Sequence, residues 1–312
     1  MKLITLTTLF LLAFTLQAFA SNFASSLELR NYIEIDSPSY LLPSQSIVLP
    51  VSPGVDQEET SLCWTFATLN LLESNFMLRN PQVKNVSFSR AFLQRNNAEE
   101  RAIRTYILKT DVFMERGDLV NAVILVEKYG LIPIDAKGYK DGYQAPLKQQ
   151  LSTFATNEEK LAHVKSIVDG LFFEAPSKVS FNGKTLAPKE LGALVLNNQK
   201  WIAFGFKNGA KGEWDAHPDT DAFAGLKAWY LDPSKQDAVI LNSLKAGYPV
   251  AMGYSGHEVI IYGADYDENG VALKYYIKDS YQRGGTFTYE ADPVRFHQVI
   301  MVLETVDIRS KL

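Results

Sequence analysis

The chain has 312 residues, of which 46% are hydrophobic and 12% aromatic, and its formal charge at pH 7 is −4. This apolar content is enough for one large globular domain or two lobes, and it excludes a disordered protein. The 31 Lys and Arg residues are outnumbered by 35 Asp and Glu residues and form no basic block, so we expect no nucleic-acid partner. Four histidines and one cysteine are too few for a Cys/His structural zinc site.

The first twenty residues have the pattern of a secretory signal peptide. Lys2 precedes an apolar run from Leu3 to Leu16, and Ala18-Phe19-Ala20 fits the small-residue pattern of a cleavage site. This run is too short to span a bilayer, and no later stretch is long enough, so we expect no membrane span. The protein is therefore predicted to be secreted or periplasmic, and the brief signal and scarce cysteines favour a bacterial source.

Residues 21–40 form a segment with two open interpretations. Its apolar residues share one parity and predict a strand or hairpin with one apolar face: Leu27, Leu29, Ile33 and Ile35. A turn is expected at Asp36–Pro38. The segment is either a short pro-segment that is removed when a zymogen is activated, or an ordinary N-terminal edge strand. Ile47–Val51 is predicted to be a further extended piece.

The first half of the chain is predicted to be mostly helical. Thr60 or Ser61 is expected to cap a helix from about Leu62 to Leu78. The further predicted helices run from Ser89 to Leu108, from Gly117-Asp118 to Tyr129, and from Pro146 to Leu171. The helix after Gly117 should end at Gly130, because glycine commonly terminates helices.

The second half is predicted to be rich in β-strands. A hairpin is expected over Val179–Leu186, because Asn182-Gly183 is a strong tight-turn signal. Two helices are expected between the strands, at Pro188–Leu196 and Gln236–Lys245. The other predicted strands are Trp201–Phe206, Pro249–Gly253, His257–Ala264, Leu273–Lys278, Thr286–Tyr289 and Val299–Glu304. A helical half followed by a β half predicts an α+β fold with a cleft between two lobes.

The single cysteine carries the chemical argument. Exported proteins normally use cysteines in disulfide pairs, and Cys63 has no partner, so it is either a buried thiol, an intermolecular bridge or a reactive thiol. Its position at the start of a predicted helix favours the thiolate, which is the attacking species in acyl transfer. Gln57 precedes it and could donate a hydrogen bond to an oxyanion, together with the Cys63 backbone N–H.

Gln57 and the string Cys63-Trp64-Thr65-Phe66-Ala67 resemble the papain-like cysteine peptidases. The segment from Gly117 to Pro133 is most similar to the bleomycin hydrolase and aminopeptidase C branch of that family. The resemblance covers roughly residues 50–305. It implies a papain-like α+β fold with the active site in the cleft between a helical lobe and an antiparallel β lobe. The implied peptidase domain spans residues 41–312, with lobes at roughly 57–175 and 176–305.

The resemblance also implies a catalytic set. Cys63 matches the nucleophile, and His257, at the start of a predicted strand, matches the general base and acid. Asp279 takes the position of the family's asparagine, and Tyr281 takes that of its tryptophan. Aspartate can orient the imidazole as an amide oxygen does, and its negative charge should stabilise the imidazolium. Gln57 would complete the oxyanion hole.

Four residues are implied to contact the substrate, which would be a peptide or protein. These residues are Gly117, whose backbone would pair with the substrate chain, Trp64, Gly256 and Tyr281. The implied reaction is amide hydrolysis through a thioester, without a metal or organic cofactor; endopeptidase and aminopeptidase action both stay open. Two alternatives are an acyltransferase or isopeptidase with the same Cys-His-Asp set, and a catalytically silent binding protein on this fold.

Overall fold

A computed structural model describes residues 45–111, 113, 115, 117–134, 138–206, 212–213, 227–254, 256–283, 285–291, 293 and 299–303. The predicted signal peptide and the possible pro-segment, residues 1–40, lie outside these residues. Within the described part, the helices are too short or too polar to cross a membrane.

Five helices occupy the first half of the described chain. They are α1 (Cys63–Arg79), α2 (Arg90–Ala102), α3 (Leu119–Tyr129), α4 (Gln144–Leu151) and α5 (Asn157–Leu171), and α2 continues as a π-helical turn over Ile103–Leu108. The prediction of one helix from Pro146 to Leu171 is wrong. Two helices form because Thr156 and Glu159 make a reciprocal capping box that begins α5.

The starts of these helices are capped in different ways. Ser89 accepts a hydrogen bond from the Phe92 N–H at the start of α2, and Asp118 accepts one from the Asn121 N–H at the start of α3. The prediction that Thr60 or Ser61 caps α1 is wrong. Leu62 holds the cap position and no side chain caps the helix, because the Thr60 hydroxyl donates to the Gln57 carbonyl instead. Helix α1 therefore begins without a side-chain cap.

The hairpin and the following helix form as predicted. Strands β2 (Val179–Phe181) and β3 (Lys184–Leu186) pair, and α6 (Pro188–Leu196) follows. Asn182 and Gly183 have φ values of 48° and 74°, as a type I′ turn requires. Helix α6 packs closely on the end of α3, where a Cβ on Gly130 would lie 1.9 Å from the carbonyl oxygen of Pro188.

One curled sheet contains most of the described strands. Its members are β1 (Gln45–Val48), β4 (Trp201–Phe206), β5 (Gly212–Glu213), β6 (Lys227–Leu231), β7 (Val250–Tyr254), β8 (His257–Tyr266), β9 (Ala272–Arg283), β10 (Thr286–Ala291) and β11 (Val299–Leu303). The order is β10-β9-β8-β7-β11-β4-β6-β5, and β1 pairs with the end of β8. Only β4 and β6 run parallel among these described strands. Helix α7 (Gln236–Lys245) connects β6 to β7 after a short 3₁₀ turn.

Helix α1 lies at the centre of the molecule's main core. Its side chains from Trp64 to Phe76 are all buried, including polar ones, so the helix is enclosed by protein along most of its length. Leu62 and Phe66 share one apolar cluster with residues of α3 and α6 and with Ala251 and Ile260 from the sheet. This packing holds the first residue of α1, Cys63, between the helices and the strands β7 and β8. The α+β class predicted from the sequence is confirmed.

Candidate active site

The Cys63 sulfur lies against the start of strand β8. Its Sγ is 4.0 Å from the carbonyl oxygen of Gly256, and the backbone N–H of Glu258 donates a hydrogen bond to it. Gly256 and Glu258 are the two neighbours of His257 in the chain, so the sulfur contacts the backbone on both sides of the histidine. Strand β8 therefore brings the predicted nucleophile and the predicted base together.

Burial raises the pKa of the Cys63 thiol to about 12. The negative charges of Glu258 and Asp279 act in the same direction, and hydrogen bonds from the backbone N–H groups of Glu258 and Trp64 oppose them without offsetting the burial. The backbone N–H of Trp64 at the helix start favours the thiolate, as the sequence predicts, but burial outweighs this effect. The residue is partly buried, and the desolvation of its sulfur disfavours the anion. A thiolate at neutral pH therefore needs a proton acceptor close by.

His257 is held by a short hydrogen bond to Asp279. The two residues lie on adjacent strands, β8 and β9, and Nε2 of the imidazole is 2.7 Å from Oδ1 of the carboxylate. The Asp279 side chain is 1% exposed, whereas that of His257 is 18% exposed. The bond fixes the orientation of the imidazole while one part of the ring still reaches solvent.

Asp279 is surrounded by donors. Its Oδ1 also accepts the backbone N–H groups of Ser280 and Tyr281, at 2.7 and 3.1 Å. Its Oδ2 faces the Tyr289 hydroxyl at 3.4 Å and the Arg283 guanidinium at 3.8 Å. Burial opposes the ionised form, but the hydrogen bond and charge of His257, with these further donors, outweigh it and lower the pKa of Asp279. Asp279 is thus a carboxylate at neutral pH.

Tyr281 covers the histidine. Its ring stacks on the imidazole with the ring centroids 5.2 Å apart and the planes inclined by 28°. The predicted shielding of the His257–Asp279 hydrogen bond from water by this ring stays a prediction. The phenolic oxygen also accepts a hydrogen bond from Nε2 of Gln57 at 2.9 Å, a link that no sequence pattern predicted.

Gln57 is buried and its side chain is fully hydrogen-bonded. Nε2 donates to the carbonyl oxygen of Thr60 at 2.7 Å and to the Tyr281 hydroxyl at 2.9 Å, and Oε1 accepts the hydroxyl of Ser280. The backbone N–H of Gln57 donates to Ser280 as well, at 3.0 Å. The expected oxyanion donor is therefore near Tyr281 and Ser280, but it must give up one of its two present acceptors before it can bind an oxyanion.

The predicted substrate-binding residues occupy different environments. Trp64 is only 1% exposed and belongs to the core, so the prediction that it contacts the substrate is corrected. It supports Gly117 instead, since a Cβ on that glycine would lie 2.8 Å from the indole ring. Gly256 is exposed and has a φ of 81°, and this conformation places its carbonyl beside the sulfur.

Two carboxyl groups near the sulfur were not predicted from the sequence. Glu258 follows His257 on β8, and its charge acts on the Cys63 thiol. Asp118, at the start of α3, acts electrostatically on Glu258. No motif marks either residue, because their proximity depends on how α3 packs against β8. In the described part of the chain, no group of three or more His, Cys, Asp or Glu side chains is arranged to hold a metal ion.

Comparison with known proteins bears on the fold. No protein-family model matches the sequence, and no curated protein matches it either. Among solved structures, PepW from Lactobacillus rhamnosis, an aminopeptidase C-like protein, matches with a TM-score of 0.63 at 15% identity. The match covers 98% of this chain and 93% of that chain. This chain has the papain-like cysteine peptidase fold.

Two other papain-like structures match less well. They are the digestive procathepsin L 3 of Tenebrio molitor and the bromelain protease of Ananas comosus in complex with the E64 inhibitor, at 12% and 11% identity. Both have a TM-score of 0.38; the matches cover 87% and 83% of this chain and 73% and 98% of theirs. The fold assignment depends on the match to PepW and not on these two weaker ones. The papain-like fold predicted from the Gln57 and Cys63 motif is confirmed.

Proposed function

We propose that this protein is an exported cysteine peptidase that hydrolyses peptide bonds through a thioester on Cys63. One observation carries the proposal. The Cys63 sulfur contacts the backbone on both sides of His257, while the imidazole of His257 is held by the Asp279 carboxylate at 2.7 Å. Nucleophile, base and orienting carboxylate thus occur together at the start of a buried helix.

The first step is the transfer of the thiol proton to His257. Nε2 of the imidazole is bonded to Asp279, so Nδ1 is the atom assigned to accept the proton. Burial keeps an isolated thiol protonated at this position. The thiolate therefore forms only when His257 takes the proton, which gives a thiolate–imidazolium ion pair. The Asp279 carboxylate stabilises the positive charge on the imidazolium, and Tyr281 shields the pair from water.

The second step is attack of the thiolate on the carbonyl carbon of the substrate. The backbone N–H of Cys63, at the uncapped start of α1, donates to the developing oxyanion, and Gln57 joins it by exchanging one present acceptor. Each donor of this kind is worth about 3 kcal/mol of transition-state stabilisation. His257 then protonates the leaving amine, and water hydrolyses the thioester with His257 as base.

Labelling with an epoxide directed at papain-like enzymes tests this proposal. Cys63 is the only cysteine in the chain, so any thiol adduct maps to one site. We expect rapid labelling of the folded protein at pH 6, slow labelling of His257→Ala, and no peptide cleavage by Cys63→Ala. Labelling that occurs only after denaturation would contradict an activated thiol.

We also propose that the enzyme is made as a zymogen. Strand β1 begins at Gln45 and pairs with β8, so a chain that starts near Tyr40 retains this strand. We expect such a chain to cleave a peptide substrate faster than a chain that starts at Ser21. Equal rates, or loss of folding in the shorter chain, would assign residues 21–40 to the body of the protein.

A further inference from the structure

A buried carboxylate oxygen next to the sulfur has no hydrogen-bond partner. Glu258 accepts the backbone N–H of Leu119 at the start of α3, but its Oε2 atom is buried and unpaired among the described residues. Burial, followed by the negative charge of Asp118, raises the pKa of Glu258 well above its usual range. A neutral carboxylic acid would also leave its hydroxyl without an acceptor here. Such an atom costs free energy unless something binds it.

Asp118, the residue before Leu119, is a second carboxyl group close to Glu258, and it is exposed. Its carboxylate accepts the Asn121 N–H at 2.8 Å, and its side chain reaches solvent. Neighbouring protein still desolvates the carboxylate and raises the pKa of Asp118, while the Asn121 hydrogen bond and the charges of Arg101 and Arg104 oppose the rise. The two carboxyl groups therefore form a pair with one member open to solvent and the other enclosed.

The pair lies beside the sulfur. The backbone N–H of Glu258 bonds to Sγ of Cys63, and the charge of the Glu258 carboxylate acts on the thiol. Gly117, which precedes Asp118, packs on the indole of Trp64, the neighbour of Cys63. One substrate molecule could therefore place a group between the two carboxylates and its carbonyl carbon at the Cys63 sulfur.

We propose that Asp118 and Glu258 form a cation pocket that binds a positively charged group on the acyl part of the substrate. An ammonium or guanidinium would supply the donor that Oε2 of Glu258 lacks, and it would balance two adjacent negative charges. The cation is either the α-ammonium group of a short peptide or the side chain of Lys or Arg. This inference rests on the proposed peptidase function of the site and adds its substrate preference.

Charge-selective labelling of Cys63 tests the pocket without requiring peptide cleavage. The probes are a cationic aminoethyl and an anionic sulfonatoethyl methanethiosulfonate, and mass spectrometry follows the single mixed disulfide. The measured quantity is the labelling rate with the cationic reagent divided by the rate with the anionic one. Both reagents react with the same thiolate, so the fraction of ionised thiol cancels in this ratio. The same ratio for the chain unfolded in urea provides the reference. We expect the folded ratio to exceed this reference by about tenfold or more.

Variants assign this preference to the two carboxyl groups. Asp118→Asn and Glu258→Gln should each lower the ratio severalfold, and the double variant should bring it close to the reference. Glu290→Gln, on β10, is the matched control, because it removes the same charge from an exposed ion pair with Lys274 of β9. An unchanged ratio in both single variants would overturn the pocket. Asp118→Asn alone decides the question if Glu258→Gln does not fold.

Peptide substrates distinguish the two sources of the cation. Blocked peptides with arginine at one of the three positions before the cleaved bond are compared with norleucine peptides, and a free N-terminus is compared with an acetylated one. A preference for arginine assigns the pocket to a side chain, and a preference for the free N-terminus assigns it to the α-ammonium group. Equal cleavage of all these peptides would overturn the inference and leave the peptidase function standing. Failure to cleave any of them would contradict the peptidase function, while the labelling ratio would still decide the pocket.

Discussion

At the residue scale, Asp279 is the buried carboxylate that holds the His257 imidazole. The carboxylate accepts the imidazole N–H, and further donors surround its two oxygens. Arg283 lies at 3.8 Å from Oδ2 and also stacks over the ring of Tyr289, with 4.2 Å between its guanidinium carbon and the ring centroid. These partners keep the carboxylate ionised despite its burial, so its negative charge acts on His257.

Substitutions at Asp279 should separate charge from orientation. We expect Asp279→Asn to keep substantial peptidase activity but to move the basic limb of the pH–rate profile to lower pH, because the imidazolium loses a stabilising charge. Asp279→Ala should lose far more activity, since the ring loses its anchor. The measurement is kcat/KM against pH for the three proteins. Equal losses in both variants would argue against a separate effect of charge.

The same carboxylate should contribute to stability in a pH-dependent way. Its pKa in the folded protein is lowered from an ordinary value of 3.8, so its contribution is present above that pH and is lost as the pH falls through the lowered pKa. Carboxylates titrate between about pH 5 and pH 2. Over this range, the melting temperature of Asp279→Asn should therefore fall less steeply with decreasing pH than that of the unchanged protein. Identical slopes would contradict the lowered pKa.

At the scale of elements, the contact between α1 and the start of α3 shapes the site. Trp64 is buried in the first turn of α1, and its indole lies directly beneath Gly117. Asp118 then caps α3, and Leu119 donates its N–H to Glu258 on β8. Three elements thus meet within a few residues of Cys63, and a small displacement of one would move the others.

Gly117→Ala tests this junction. The new Cβ would lie 2.8 Å from the indole of Trp64, so the ring or the start of α3 must move. We expect the free energy of unfolding to fall by about 1–3 kcal/mol, as in other overpacked cores. The ratio of cationic to anionic labelling of Cys63 should change too. Gly138→Ala is the control, because its Cβ would meet no atom within 4 Å; equal effects of both substitutions would rule out the Trp64 contact as the cause.

At the scale of the whole molecule, a buried polar network joins the sheet to the helices. Lys278 on β9 donates to Ser52, to the carbonyl of Pro53 and to Asn70 on α1, at distances from 2.7 to 3.0 Å. Asn70 also accepts from Arg90, the first residue of α2. Arg90 in turn makes a fully buried ion pair with Glu73, at 2.6 Å. Since Lys278 precedes Asp279, this network also positions the strand that carries the orienting carboxylate.

Lys278→Met should break this network and lower the free energy of unfolding by about 3 kcal/mol, because buried acceptors lose their donor. Burial lowers the pKa of Lys278 to about 7, and the charge of Arg90 contributes, although Glu73 opposes the shift. The unfolded chain then binds more protons than the folded one between pH 7 and 10.5, so Lys278 makes stability rise with pH in this window. The variant should lack that rise.

Lys274→Met is the matched control for this prediction. It removes a lysine from the same strand, but its ion pair with Glu290 is exposed, and exposed pairs contribute at most about 1 kcal/mol. Chemical denaturation at several pH values measures both variants. Equal losses of stability in Lys278→Met and Lys274→Met would show that the buried network does not join the two parts of the molecule.

Elements whose formation depends on residues close together in the sequence could be predicted from the sequence alone. Asn182-Gly183 determines its hairpin because few residues adopt the positive φ values of that turn. Apolar spacing was enough to predict α1 with its start at about Leu62, one residue before the observed first residue, Cys63. The same local logic failed between Pro146 and Leu171, where the capping box of Thr156 and Glu159 begins a new helix inside an apparently continuous pattern. The short strands β5 and β6 carried no pattern strong enough to predict them.

The chemical state of the site depends on tertiary contacts. The motif identifies Cys63, His257, Asp279 and Gln57 as residue types suited to acyl transfer, but it contains no information on desolvation. Burial and the Glu258 carboxylate, which raise the pKa of the thiol, come from the packing of β8 against α1 and α3. Two hydrogen-bond partners of the Gln57 side chain, the acceptor Tyr281 and the donor Ser280, come from β9, more than two hundred residues away in the chain. A pKa or a hydrogen bond reflects the atoms that surround a group in space, and only the fold determines which atoms these are.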